Sequence, residues 1–192
     1  GTPHADARRR RDRFRADDKG SMPTEGVMAA TFLVWWYIAS FQFFDAYRQK
    51  NVNLKAAYTI ADMISRQEFV NANYVSGLNK VFDYLTFSQE ATWVRASSVH
   101  YCNSDQSYRI QWSSASGGKP AHTNSTIQAL KSQIPVIPQG DTIIVVETNM
   151  SYQPIFRVGL DARWYETFIP TRPRVYSCVG WDPGSGIPGG CA

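Results

Sequence analysis

The chain has 192 residues and a formal net charge of +4, which is enough length for one domain and one membrane anchor. Much of the positive excess lies in the first twenty residues, and the remainder of the chain is nearly balanced in charge. The balanced part has no basic stripe of the kind that binds nucleic acid, so nucleic acid is excluded as a partner class.

The first twenty residues form a basic segment with few apolar residues. Its arginines cluster from Arg8 to Arg15, directly before the first apolar stretch of the chain. We interpret residues 1–20 as a basic leader on the cytoplasmic side of a membrane. The anionic head groups of the cytoplasmic leaflet are the expected partner of its arginines.

An uncharged run of 19 residues from Gly26 to Phe44 follows. A bilayer core requires about 20 apolar residues in a helix, so this run predicts a membrane span, and no second run of this kind exists. The excess of Lys and Arg before the run places the N-terminus in the cytoplasm and the rest of the chain outside it. The alternatives are a cleaved secretory signal, which has a shorter apolar core and small residues before its cleavage site, and a buried core helix.

Helical spacing continues beyond the apolar run. The segment from Asp45 to Arg66 has no Gly or Pro and places apolar residues at helical intervals, namely Tyr47, Leu54, Tyr58, Ala61 and Ile64. The pattern predicts one helix from near Pro23 over some 40 residues, or about 60 Å. Residues 21–70 are thus interpreted as a transmembrane helix and its extension outside the membrane.

Residues 71–192 predict an α+β domain. Helical spacing resumes over residues 74–85, with Tyr74, Leu78, Val81 and Leu85 on one face, and a short helix capped by Thr123 or Asn124 extends to Lys131. Composition and alternation predict five strands, at residues 92–101, 107–113, 141–150, 164–169 and 174–179, the last at a sheet edge. The fold class is therefore α+β, with a long N-terminal helix followed by a mostly antiparallel sheet and short helices.

All three cysteines lie in the part assigned outside the cytoplasm, where thiols are oxidised to disulfides. Cys178 and Cys191 enclose a Gly-rich loop, and a bridge between them would fix the C-terminus. A loop of this length is worth about 3 kcal/mol in the chain-entropy description. We predict this bridge, with Cys102 free; a Cys102–Cys178 bridge is the competing possibility.

The span is rich in aromatic residues: Phe32, Trp35, Trp36, Tyr37, Phe41, Phe43 and Phe44. Trp and Tyr usually favour the membrane interface, yet Trp35 and Trp36 lie near the middle of the run. Packing of Phe32, Trp35, Trp36 and Phe43 against a partner helix or an apolar cofactor explains this placement, and plain lipid contact is the alternative. Other membrane proteins are the expected partners.

Signals for catalysis are poor. His4, His100 and His122 are scattered, and the sequence has no Gly-rich phosphate loop and no His-Glu metal motif. We therefore expect a protein that is not an enzyme and that has no metal site and no cofactor.

Three motifs carry a resemblance to a known family. Gly20 is followed at the fifth position by Glu25; residues 145–156 form a valine-rich strand that ends in Tyr, Pro and Phe; and Thr171 begins the sequence Thr-Arg-Pro-Arg. In this order they resemble the TadE/TadG-like minor pseudopilins of the tight-adherence (Flp) pilus system. The resemblance implies a bacterial inner-membrane protein with a periplasmic domain, cleaved after Gly20 to leave Ser21 first, that helps to assemble or anchor an adhesive pilus.

The resemblance also implies a role for Glu25, which in an assembled pilus would neutralise the new N-terminal amine of a neighbouring subunit. The alternative role is a carboxylate at the head-group level that favours the start of a helix. If the chain is not cleaved, the alternative function is an accessory or structural subunit of another membrane protein complex.

Overall fold

The computed structural model describes residues 21–88, 90–156, 159–184 and 189. The predicted basic leader, including Gly20 and the segment from Arg8 to Arg15, lies outside the described residues, and so does Cys191. The described residues form two compact units. One contains the chain up to Phe44 together with Ile155–Leu160, and the other contains Asp45–Pro154 with the residues from Asp161 onward.

The elements follow each other in the order α1 (Ser21–Ser65), β1 (Phe69–Val70), α2 (Ala72–Thr86), β2 (Trp93–Cys102), β3 (Ser107–Ala115), α3 (Asn124–Ala129), β4 (Thr142–Tyr152), β5 (Arg163–Thr171) and β6 (Gly180–Trp181). The predicted α+β class, with one long apolar N-terminal helix, an antiparallel sheet and short helices, is confirmed.

Helix α1 has 45 residues and forms the first element of both units. At 1.5 Å per residue its length is about 68 Å. Pro23 lies in its first turn, where the missing backbone N–H has no helical partner to lose. The prediction of one helix from near Pro23 to about residue 66 is therefore confirmed.

The larger unit is built on a four-stranded sheet in the order β3-β2-β4-β5, with every neighbouring pair antiparallel. Strand β4 is one of the two inner strands, since it pairs with β2 on one edge and with β5 on the other, and its residues from Ile143 to Val146 are buried. This is the segment whose consecutive Ile and Val residues predicted a central strand. A β-bulge interrupts the pairing of β2 with β3 after Ser98.

Helices cover one face of this sheet. The second half of α1 contributes a buried stripe, and α2 adds buried residues at the same helical spacing: Ala56, Ala57, Ile60, Ala61, Ile64, Leu78 and Phe82. They pack with Val94, Ile144 and Val146 of the sheet. Tyr47 and Tyr58, which the sequence pattern placed among the apolar positions of this helix, are more than half exposed instead.

The opposite face of the sheet is covered by α3 and the chain that follows it. Ile127, Ile134 and Ile137 pack there against Val99 and Val145. Thr123 caps α3 with a reciprocal pair of hydrogen bonds to Thr126. Both faces of the sheet are thus closed by parts of the same unit.

The predicted edge strand at residues 174–179 is wrong. The Arg174 backbone N–H donates to the Ser65 carbonyl at 2.8 Å, and the Arg174 guanidinium lies 3.1 Å from Asp62, so this segment is bound to the end of α1. The strand forms one residue later, where β6 pairs in parallel with β1. Two-residue strands such as these have no alternation from which a sequence could predict them.

Candidate membrane-facing helix and buried charge network

The N-terminal half of α1 exposes its large apolar side chains. Eleven of them between Val27 and Phe44 are 48–72% exposed. Such a continuous apolar surface marks a site of protein or membrane contact, because monomeric soluble proteins rarely expose large apolar patches. By length and composition α1 can cross a membrane once, and no other helix of the described ranges passes this test.

The predicted packing residues form part of this surface. The Phe32 ring lies 6.0 Å from Trp35 and 6.5 Å from Trp36, measured between ring centroids. Phe43 is 55% exposed and follows Trp36 after two helical turns, so it continues the same face. The structure therefore brings three of the four residues into contact and places the fourth on one stripe with them.

The predicted processing motif is described only in part. Ser21 is the first residue of α1, and Glu25 is exposed in the second turn. Gly20 lies outside the described residues. Cleavage after Gly20 and the role of Glu25 in assembly stay predictions.

Two of the three cysteines, Cys102 and Cys178, lie in the described part of the chain. Cys102 has a free thiol, with its Sγ 3.2 Å from the Ser104 hydroxyl oxygen. Cys178 is buried at the start of the segment that leads to β6. Because Cys191 is not described, the Cys178–Cys191 bridge stays a prediction.

A buried charge network lies on the α3 face of the sheet. Arg95 of β2 and Glu147 of β4 stand opposite each other in the sheet, and the guanidinium donates to both carboxylate oxygens at 2.6 and 2.9 Å. His122 Nε2 lies 2.6 Å from Glu147 Oε2. The side chains of Arg95, Glu147 and His122 are only 11%, 12% and 4% exposed.

Further hydrogen bonds connect this network to the loop before α3. Arg95 also donates to the Pro120 carbonyl at 3.1 Å, and His122 Nδ1 lies 2.9 Å from the Thr126 hydroxyl. The His122 backbone N–H donates to the Ser113 hydroxyl at 2.8 Å. The network thus joins β2, β3, β4 and the α3 cap, and this arrangement supports a structural role.

The sequence pattern did not find this network, because its three residues are far apart in the chain. The only signal was the presence of charged residues inside two predicted strands. Arg95 lies inside the predicted first strand, and Glu147 follows two valines in the predicted central strand. A charged residue in a strand that is covered on both faces requires a partner. Pairing the two would have been a guess among several charged residues.

A cleft of about 310 Å³ lies beside the β2–β3 bulge. It is lined in part by Gln111, Trp112 and Trp181, and the two tryptophan rings lie 5.4 Å apart. Gln111 Oε1 accepts from Ser98, whereas its Nε2 is buried and has no partner within the described part of the chain. The volume is at the lower limit for a small-molecule site.

The resolved shifts of carboxyl pKa come from local surface pairs. A hydrogen bond from Arg109 lowers the pKa of Asp105 to about 2 in the β2–β3 turn, and a hydrogen bond from Arg66 lowers the pKa of Asp62. Both carboxyl groups are solvent-exposed, so these pairs contribute little to stability. They fix a turn and a helix end rather than a reactive site.

Comparison with known proteins finds no matching family model, no similar curated protein and no similar solved structure. The resemblance to TadE/TadG-like pseudopilins therefore rests on the sequence motifs alone.

Proposed function

We propose that this protein is a single-pass membrane protein that acts as an assembly subunit, with its N-terminus in the cytoplasm of a bacterium. The larger unit, Asp45–Pro154 with the residues from Asp161 onward, is called the sheet domain and lies in the periplasm in this proposal. The observation that carries the proposal is the row of eleven large apolar side chains, 48–72% exposed, along the first half of α1. In water this surface would be unfavourable by about 25 cal/mol for each Å² of apolar area.

The dimensions of this surface fit a bilayer. The run from Gly26 to Phe44 has 19 residues, and at 1.5 Å per residue it spans about 29 Å. The hydrocarbon core of a bilayer is about 30 Å thick. A helix satisfies all of its interior backbone hydrogen bonds, so it can cross this layer without further partners.

The direction of insertion follows from charge. The arginines from Arg8 to Arg15 precede the span, whereas Arg48 and Lys50 are the nearest basic residues after it. The denser positive side stays in the cytoplasm. The motif of Gly20 and Glu25 in front of the span supports the pseudopilin interpretation, in which the chain is built into or anchors a pilus.

The aromatic stripe formed by Phe32, Trp35, Trp36 and Phe43 supports association with another protein within the membrane. Trp35 and Trp36 occupy the middle of the run, where lipid alone gives no reason for indole side chains. Helices associate in membranes through close packing and dispersion. Phe32, Trp35, Trp36 and Phe43 are therefore proposed as the surface that contacts another membrane protein.

The test replaces Trp35→Ala together with Trp36→Ala. We expect the double variant to remain in the membrane, because the remaining run is still apolar, and to lose its partners in co-purification from mild detergent. The matched control is Phe41→Ala with Phe44→Ala, which removes two rings from another face of the helix and should leave the partners bound. Co-purification of the tryptophan variant at the parent level would show that the stripe is only lipid-facing.

Mass spectrometry of the native N-terminus separates the two candidate functions. A chain that begins at Ser21 supports the pseudopilin function. A chain that retains residues before Gly20 supports the accessory subunit of another membrane complex.

A further inference from the structure

One amide side chain interrupts the apolar run of α1. Gln42 is the only Asn or Gln between Gly26 and Phe44, and it is fully buried. An unpaired amide in a hydrocarbon environment costs several kcal/mol, so a partner is required. The structure supplies one from a distant part of the chain: the Phe156 backbone N–H donates to Gln42 Oε1 at 3.0 Å.

Phe156 belongs to the loop between β4 and β5, and this loop is apolar where it reaches α1. Ile155 is 65% exposed and Phe156 is 45% exposed. Residues Ile155–Leu160 belong to the same compact unit as the N-terminal half of α1, although they lie more than a hundred positions away in the chain. The loop therefore adds two exposed apolar side chains to the surface of the proposed span.

The position of Gln42 along α1 gives the level of the helix at which Phe156 is bound. Gln42 is two residues before the end of the apolar run at Phe44, which is about 3 Å along the helix axis. The exposed rings of Phe41 and Phe44 stand on either side of it in sequence. At this level acyl chains meet head groups, where apolar side chains of surface-bound segments insert by about 5–10 Å.

We propose that Ile155 and Phe156, which follow β4, form a second membrane contact of this chain: they insert into the outer boundary of the bilayer, and Gln42 holds Phe156 at that depth. The occupant of this surface is phospholipid, because the two side chains continue a surface that the proposed function already places in lipid. The inference rests on that proposed function.

The experiment uses the full chain in phospholipid nanodiscs that contain two labelled lipids, one with a nitroxide near its head group and one with a nitroxide in the middle of its acyl chain. An environment-sensitive fluorophore is attached to Ile155→Cys in a Cys102→Ser background, without reductant. Leu33→Cys is the reference inside the span, and Val136→Cys is the aqueous reference, because Val136 is 90% exposed in the other unit. The Cys102→Ser chain without a new cysteine measures the labelling background.

We expect the head-group nitroxide to quench the label at Ile155 at least twofold more than the label at Val136, and the acyl-chain nitroxide to quench the label at Leu33. Quenching at Leu33 with no excess at Ile155 would overturn the loop contact while leaving the membrane span intact. An unquenched label at Leu33 would overturn both proposals.

A second variant tests the role of Gln42. Gln42→Leu removes the acceptor of the Phe156 N–H but keeps the helix apolar, and we expect quenching at Ile155 to fall at least twofold with no change at Leu33. Ser40→Ala, an exposed position two residues away, is the matched control and should leave quenching at Ile155 unchanged. Equal quenching in the Gln42→Leu chain would overturn the assignment of Gln42 as the residue that sets the depth.

Discussion

At the scale of single residues, Glu147 connects parts of the chain that are distant in sequence. Its carboxylate binds Arg95 from the neighbouring strand and His122 from the loop before α3. A buried ion pair pays a large desolvation cost, so its net contribution to stability is small compared with an apolar pair. The pair instead favours the observed register of β2 against β4. A slip of β2 by one residue would move Arg95 to the opposite face of the sheet, away from Glu147.

Replacing Glu147→Gln should destabilise the sheet domain by about 3 kcal/mol, because Arg95 would stay buried without an opposite charge. The measurement is urea unfolding of the full chain in nanodiscs, followed by circular dichroism. Glu166→Gln is the matched control, since Glu166 is exposed and accepts from Asn149 at 3.3 Å, a bond that an amide oxygen can keep. Equal unfolding midpoints for both variants would contradict the structural role of the network.

The sequence predicted little at this scale. The aromatic residues of the span and Glu25 could be given hypothetical roles because they are close together in sequence. The partners of Arg95 and Gln42 could not be predicted, since they lie 52 and 114 positions away. Such contacts depend on strand register and on loop position, which local patterns do not determine.

At the scale of elements, α1 changes character along its length. Its first half exposes large aromatic side chains, and its second half buries small ones such as Ala56, Ala57 and Ala61 against the sheet domain core. Alanine lets the helix backbone approach neighbouring elements closely, and Ile60 and Ile64 fill the remaining space. One helix thus presents two different surfaces: an exposed apolar surface on its first half and, on its second half, a surface that packs into the core of the sheet domain.

Replacing Ile60→Ala should lower the free energy of unfolding of the sheet domain by about 3 kcal/mol, because it leaves a cavity in the core. Leu54→Ala on the same helix is the matched control, since Leu54 is 36% exposed, and it should cost less than about 1 kcal/mol. Unfolding of both variants in nanodiscs can be followed by circular dichroism. Similar losses for the two variants would contradict the packing of this half of α1.

The elements themselves were largely predictable. Consecutive β-branched residues predicted β4, and a 3.6-residue apolar spacing predicted α2. The outward positions of Tyr47 and Tyr58 were not predicted, because the buried stripe of α1 consists mainly of alanine, which is a weak hydrophobic signal. The short β1–β6 pair was not predicted, because its two strands lie more than a hundred residues apart in the chain and each has only two residues.

At the scale of the whole molecule, two kinds of surface occur in one chain. The sheet domain closes both faces of its sheet with its own residues, whereas the unit that contains the first half of α1 leaves its apolar side chains exposed. Composition and charge predicted this division, because the uncharged run is continuous in sequence. Co-purification of the Trp35→Ala, Trp36→Ala double variant is the experiment that tests whether this exposed surface binds another membrane protein.

The most direct test of the membrane span is alkaline carbonate extraction of membranes from cells that express the full chain, with the protein identified by peptide mass spectrometry. We expect the chain to stay in the membrane pellet and to retain residues 26–44, whether or not it is cleaved after Gly20. An intact chain in the supernatant would show that α1 belongs to a soluble protein. A shorter chain in the supernatant, without residues 26–44, would show a cleaved signal sequence, and either result would contradict the proposed span.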